Sequence, residues 1–195
     1  HNDHFLKSRP GSDTPRLELE TAPARFSFGP ARQAVDRFLD EDSIPICTTT
    51  WEDGGLRTIQ TAFVAELAGT KTDGPVPPAD ALAVCLARFT FTNTSSSSFT
   101  AKFPLAYKAG DDEQSFRIDG KGLLWLGDRV RGQLVDRSGG MKWPSTSGAG
   151  LQFQLAPGES KTILLKIPYL LLTDQSERNR LVDLDFDSER KAVAG

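Results

Sequence analysis

Residues Ile44 to Leu67, IPICTTTWEDGGLRTIQTAFVAEL, constrain the fold more than any other stretch of the chain. Two runs rich in β-branched and aromatic residues flank Glu52-Asp53-Gly54-Gly55. Asp-Gly and Gly-Gly steps supply the positive φ angles of a tight hairpin, so the segment reads as two long antiparallel strands. An isolated strand pair is marginal in water, and a hairpin this long needs a wide sheet around it.

The rest of the chain supplies one. Arg16 to Glu20 and Arg25 to Phe28 alternate like short strands, and Ala34 to Leu39 reads as a strand in preference to a helical turn. Ala81 to Phe91 is apolar on both alternating faces as far as Leu86, which predicts a central strand covered on both sides. Phe99 to Tyr107 alternates cleanly, and Phe116–Ile118, Leu123–Leu126 and Arg131–Val135 read as short strands. Leu151 to Leu155 and Thr162 to Leu172 complete the pattern, separated by a Pro157-Gly158 turn. Gly69 to Ala79 is broken by prolines and glycines and reads as a surface loop, as does the glycine-rich Ser138 to Gly150.

The ends differ from the middle. Residues 1–15 are polar and carry Pro10, Gly11 and Pro15, so a flexible or extended segment is expected there. A helix is predicted from Asp187, which can cap it, with Glu189 in its first turn and Arg190 and Lys191 behind. About eight residues is marginal for a helix alone, so it is expected to continue into a further domain. The organisation expected is therefore a flexible 1–15, a β-sandwich over 16–175 and the start of a linker over 176–195. The fold class is all-β, a large antiparallel two-sheet supersandwich with a short C-terminal linker helix.

Composition narrows the functions. A net charge of −3 with interspersed signs argues against an electrostatic grip on nucleic acid. The nearest basic cluster, Arg129 and Arg131, reads as a solvated turn. No apolar run approaches the ~18 residues that span a bilayer; the longest, Ile163 to Leu172, is interrupted by Lys166 and Pro168. No leader is visible in a sequence opening with His1, so compartment is left open, with a periplasmic or secreted location among the choices. Cys47 and Cys85 both fall in apolar strand runs, and a disulfide between them is one possibility.

His1 and His4 are the only histidines. Their HxxH spacing falls short of the three or four rigid ligands of a zinc site. With no histidine elsewhere, Ser-His-Asp and Cys-His nucleophile systems are excluded. Glu52, Asp53, Asp111, Asp112 and Glu113 sit at predicted turns, where acids support the turn; a glycosidase pair would need two of them flanking one bond. Gly120-Lys121-Gly122 lacks the pattern and following helix of a phosphate loop. No catalytic residue, metal site or cofactor is assigned. Aromatic faces stack on pyranose rings, which brings in the three tryptophans. Trp51 and Trp125 lie in strand patterns and read as core. Trp143, in the Gly/Ser loop, is expected to be exposed and is the candidate sugar-binding residue.

Three pieces of sequence occur together: TTTWEDGGLRTIQTAF (Thr48 to Phe63) with RFTFTNTSSSSFTAKFPL (Arg88 to Leu105), then LAPGESKTILLKIPYLLL (Leu155 to Leu172), then LDFDSERKAVAG (Leu184 to Gly195). In this order the chain resembles the N-terminal β-supersandwich domain, of galactose-mutarotase-like fold, that precedes an (α/α)6 helical toroid in bacterial glycoside hydrolases and phosphorylases. The resemblance implies that the catalytic carboxylates belong to a helical catalytic domain of the same parent chain, which is then the expected partner. It implies a non-catalytic role for this segment, supporting or shaping that active site. A mutarotase would use a Glu with histidines, and the lack of His beyond the tail departs from that, so epimerase activity is not expected. The alternatives are a stand-alone carbohydrate-binding module, with carbohydrate as its partner, and a structural sandwich that binds no sugar. Neither nucleic acid nor membrane is an expected partner.

Overall fold

The computed structural model describes residues 4–6, 24–28, 36–39, 45–67, 83–109, 112–146, 150–169, 172 and 174–194. Its strands are β1 (His4–Leu6), β2 (Ala24–Phe28), β3 (Asp36–Leu39), β4 (Cys47–Asp53), β5 (Leu56–Glu66), β6 (Ala83–Asn93) and β7 (Phe99–Phe103). They continue with β8 (Leu105–Ala109), β9 (Asp112–Gln114), β10 (Arg117–Ile118), β11 (Leu123–Leu126), β12 (Arg129–Asp136), β13 (Leu151–Leu155) and β14 (Ser160–Pro168). Two helices follow, α1 (Gln175–Asp183) and α2 (Phe186–Ala194). Among the described residues the protein is all-β apart from this C-terminal pair. The expected strand at Arg16 to Glu20 and the loop at Gly69 to Ala79 lie outside the described residues.

The long hairpin forms as its sequence dictates. β4 and β5 pair from Cys47–Ala62 to Asp53–Leu56. Gly54 and Gly55 turn the chain with φ of 54° and 94°, values that β-carbon sterics discourage in other residues. Gly55 is doubly constrained, because a β-carbon there would lie 2.7 Å from that of Ser95.

This hairpin is part of an antiparallel sheet of eight strands, ordered β10-β11-β12-β14-β6-β5-β4-β3. β13 and β7 form a two-stranded sheet, and β1, β2, β8 and β9, in that order, form a four-stranded one. Alternation splits the central strands between two faces of the eight-stranded sheet. On β6, Phe89 and Phe91 enter one apolar cluster together with Phe103 of β7 and Phe153 of β13. Their rings meet edge to face, Phe89–Phe103 at 4.8 Å and Phe91–Phe153 at 5.1 Å between centroids, the geometry that aromatic quadrupoles favour. This is the core of the sandwich.

Val84 and Leu86, of opposite parity, enter a second cluster with Phe63, Leu164, Leu181 and Phe186. The helices cover that face. Phe186 of α2 is 1% exposed and meets Phe63 edge to face at 5.0 Å. The central strand is thus covered on both sides, as its unbroken apolar run predicts.

One expectation changes, and the pairing of the cysteines, left open by the sequence, is answered. The C-terminal segment holds two helices, where one was predicted from Asp187. Asp174 caps α1, its carboxylate accepting from the Ser176 N–H at 2.7 Å, so helical structure begins upstream of the expected helix. At α2 the capping carboxylate is Asp185, which accepts from the Ser188 N–H at 2.9 Å, while Asp187 lies inside the helix. Cys47 and Cys85 form no disulfide. β5 lies between their strands, and two inter-strand steps of ~4.8 Å exceed the span a disulfide bridges.

Candidate functional site

The helix-covered face of the large sheet is apolar at one end and hydroxyl-rich at the other. Cross-strand register sets Thr61 opposite Arg88 and places Thr90 between Ile59 and Thr162. The covering helices leave a concavity of about 340 Å³ there, walled by Ile59, Thr61, Arg88, Thr90 and Thr162, with Arg137 and Ser138 at its side. The hydroxyls of Thr90 and Thr162 are 3.2 Å apart, and that of Thr61 lies 3.5 Å from Thr48. The Ser138 hydroxyl accepts from the Thr162 N–H at 2.6 Å.

A carboxylate fixes the segment that carries Ser138. Asp136 accepts from the N–H groups of Ser138 and Gly139, each at 2.9 Å, and of Met141 at 2.7 Å. The two arginines are held from the helix side. Arg88 donates to one oxygen of Asp187 at 2.9 Å and Arg137 to the other at 3.0 Å. Asp185 lies 3.7 Å from Arg137, and the Arg88 guanidinium stands 4.5 Å from the Phe186 ring centroid. Asp185 is held below the usual carboxylate range, first by the Ser188 hydrogen bonds and then, more weakly, by Arg137. Burial pushes Glu189 of the same helix upward, reinforced by the charges of Asp185 and Glu66.

Lys166 anchors α1. Its side chain is 2% exposed, and its ammonium donates to the carbonyls of Leu181 and Val182 at 2.7 and 2.9 Å. Those carbonyls belong to the last turn of the helix, where no intrahelical N–H reaches them and the dipole favours a cation. Burial lowers the lysine's pKa to about 8, with Asp183 and Asp185 partly opposing the shift.

The residues singled out by sequence are distributed otherwise. Trp143 is partly buried against the sandwich core, so the expectation of an exposed platform is corrected. Its indole nitrogen lies 3.2 Å from where a β-carbon on Gly122 would stand. Trp51 is 6% exposed, as expected of a core residue. Trp125 is only partly buried: its indole donates to Asp119 at 2.8 Å, and Arg117 and Arg178 stand 4.9 and 5.7 Å from its ring centroid. Gly120-Lys121-Gly122 is a turn built by Asp119, whose carboxylate accepts from the N–H groups of Lys121 and Leu123.

Arg131 corrects the reading of a solvated basic turn, since it is 4% exposed. Glu52 and Asp53 are exposed at the β4–β5 hairpin, with Glu52 3.7 Å from Arg57. Asp112 and Glu113 belong to β9, in a different sheet. Topology thus assigns these acids to separate sheets. Asp111 and His1 lie outside the described residues, and His4 is in β1. Among the described residues no three His, Cys, Asp or Glu side chains cluster as a metal site, and no helix is long and apolar enough to cross a membrane.

Sequence reading missed Arg88, Arg137 and Lys166. A signal existed for the lysine: period-two alternation puts it on the covered face with Leu164, where a charge needs a partner. Comparisons with protein-family models, with curated proteins and with solved structures found no match.

Proposed function

We propose that this chain is a non-catalytic β-sandwich domain of a carbohydrate-active protein, one that supports the active site of a helical catalytic domain in the same polypeptide. The observation that carries this reading is the pair of helices fixed to the sheet through Lys166, Arg88 and Arg137. An all-β domain thereby presents a rigid helical surface, against which a helical neighbour can pack by ordinary ridge-and-groove contacts. The hydroxyls and guanidiniums of the concavity are groups that hold polyols. Among the described residues lining it there is no carboxylate, whereas glycosidic cleavage generally uses two. The chemistry favours binding or positioning over bond breaking.

The deciding measurement is the size of the native gene product in its source cells. A much larger product with a helical region after Gly195 and activity on glycans supports the proposal. A product ending with these 195 residues overturns it. The concavity also favours a second reading, a stand-alone carbohydrate-binding module, which a glycan-binding screen of this chain separates from a purely structural sandwich.

A further inference from the structure

We infer that the concavity over β5, β6 and β14 binds a sugar unit bearing an oxyanion, either a carboxylate or a sulfate ester. The inference rests on the carbohydrate reading above and adds the charge of the ligand. Its basis is the balance of donors and acceptors on the wall. Each guanidinium carries five N–H donors and no acceptor. Asp187 engages Arg88 at 2.9 Å and Arg137 at 3.0 Å, which leaves further donors on both.

The Ser138 oxygen already accepts from the Thr162 N–H, so its own hydrogen can be donated to a ligand. Thr61, Thr90 and Thr162 both donate and accept. Donors therefore exceed acceptors, and the complementary ligand is rich in acceptor oxygens. Asp187 already bridges the two guanidiniums, so a ligand oxyanion takes their remaining N–H groups beside it, in the charge-assisted hydrogen bonds that arginine geometry suits. The threonine hydroxyls match ring hydroxyls, and Ile59 offers an apolar patch to a ring C–H face. At about 340 Å³ the space falls at the lower end of the usual ligand-site range of ~300–1,000 Å³. That size suits a single sugar unit.

Asp185 and Asp187 offset the charge of the arginines while holding them in place. Affinity for one unit is therefore expected to be weak, Kd on the order of 1 mM, and to fall as salt is added.

The test is a titration of the whole chain with glucuronate, glucose 6-sulfate, glucose and sodium sulfate, followed by amide chemical shifts at Thr90, Ser138 and Thr162. Glucuronate or glucose 6-sulfate should shift these amides, with glucose and sodium sulfate each at least ~10-fold weaker, a difference of about 1.4 kcal/mol. Which acidic sugar binds more tightly distinguishes carboxylate from sulfate ester. Arg137→Gln should weaken binding about tenfold. Thr90→Val, which keeps both arginines, should weaken it about fivefold, with circular dichroism unchanged for each variant. Equal binding of glucose overturns the charge requirement and leaves the carbohydrate reading intact. Equal binding of sodium sulfate makes this a bare anion site and overturns the inference. So does the absence of shifts at these amides with every probe, whatever the size of the native gene product.

Discussion

Lys166 interrupts the apolar run of β14, and its consequences are chemical as well as structural. Burial holds its pKa near 8, against an ordinary 10.5. Between those values the unfolded chain binds more protons than the folded one, so this group makes stability rise with pH across that window and lowers it again as pH falls back towards 8. The shift corresponds to about 3 kcal/mol in the fully alkaline limit. Cys85 acts in the opposite direction. Burial pushes its thiol up to about 12, so its contribution is fully present below pH 9 and is lost as pH rises from 9 towards 12. Urea unfolding of the wild type, Lys166→Met and Cys85→Ala between pH 7 and 11 separates the two. Lys166→Met should lose the rise above pH 8, and Cys85→Ala should lose part of the alkaline decline. Trp143 gives a second expectation at this scale. Because its indole packs on the core, Trp143→Ala should lower stability by about 2 kcal/mol while leaving glucuronate titration of the concavity within about twofold of wild type.

Elements were legible in proportion to how locally they are specified. The β4–β5 hairpin could be read because Asp53-Gly54-Gly55 sets the turn and the flanking β-branched residues need no distant partner. Helix α1 could not be read as easily. Only Leu181 is buried along it, so it has almost no apolar stripe to give a 3.6-residue period. Its remaining signal was Asp174 followed three residues later by Glu177, a capping pattern. α2 was expected, but with Asp187 as its cap; the fold instead gives that role to Asp185 and turns Asp187 towards Arg88 and Arg137. Asp185→Ala should therefore fray the first turn of α2. Amide exchange there should quicken about fivefold, the ~1 kcal/mol that a lost cap costs, with exchange in β6 unchanged. Asp187→Asn should instead loosen the two guanidiniums, visible as faster exchange of their side-chain N–H signals with the cap intact.

At the scale of the molecule, one wide sheet separates two apolar clusters, and the helices cover the second. Removing residues 174–195 should expose Phe63, Val84, Leu86 and Leu164 together. A contiguous apolar face of that kind promotes association, so the shortened chain should bind a hydrophobic dye and aggregate, whereas the full chain should do neither. Local pattern suffices for the all-β class, the central hairpin and the two-faced β6, because alternation and turn residues act over a few positions. Long-range packing settles which face the helices cover, and that Trp143 packs inward. It also decided that Arg88, Thr90, Arg137 and Thr162 converge on one concavity. Those four come from two strands, β6 and β14, and the segment after β12, up to 74 positions apart (162 − 88). Their meeting depends on the register of β6 with β14 and on the docking of α2, which no local pattern encodes.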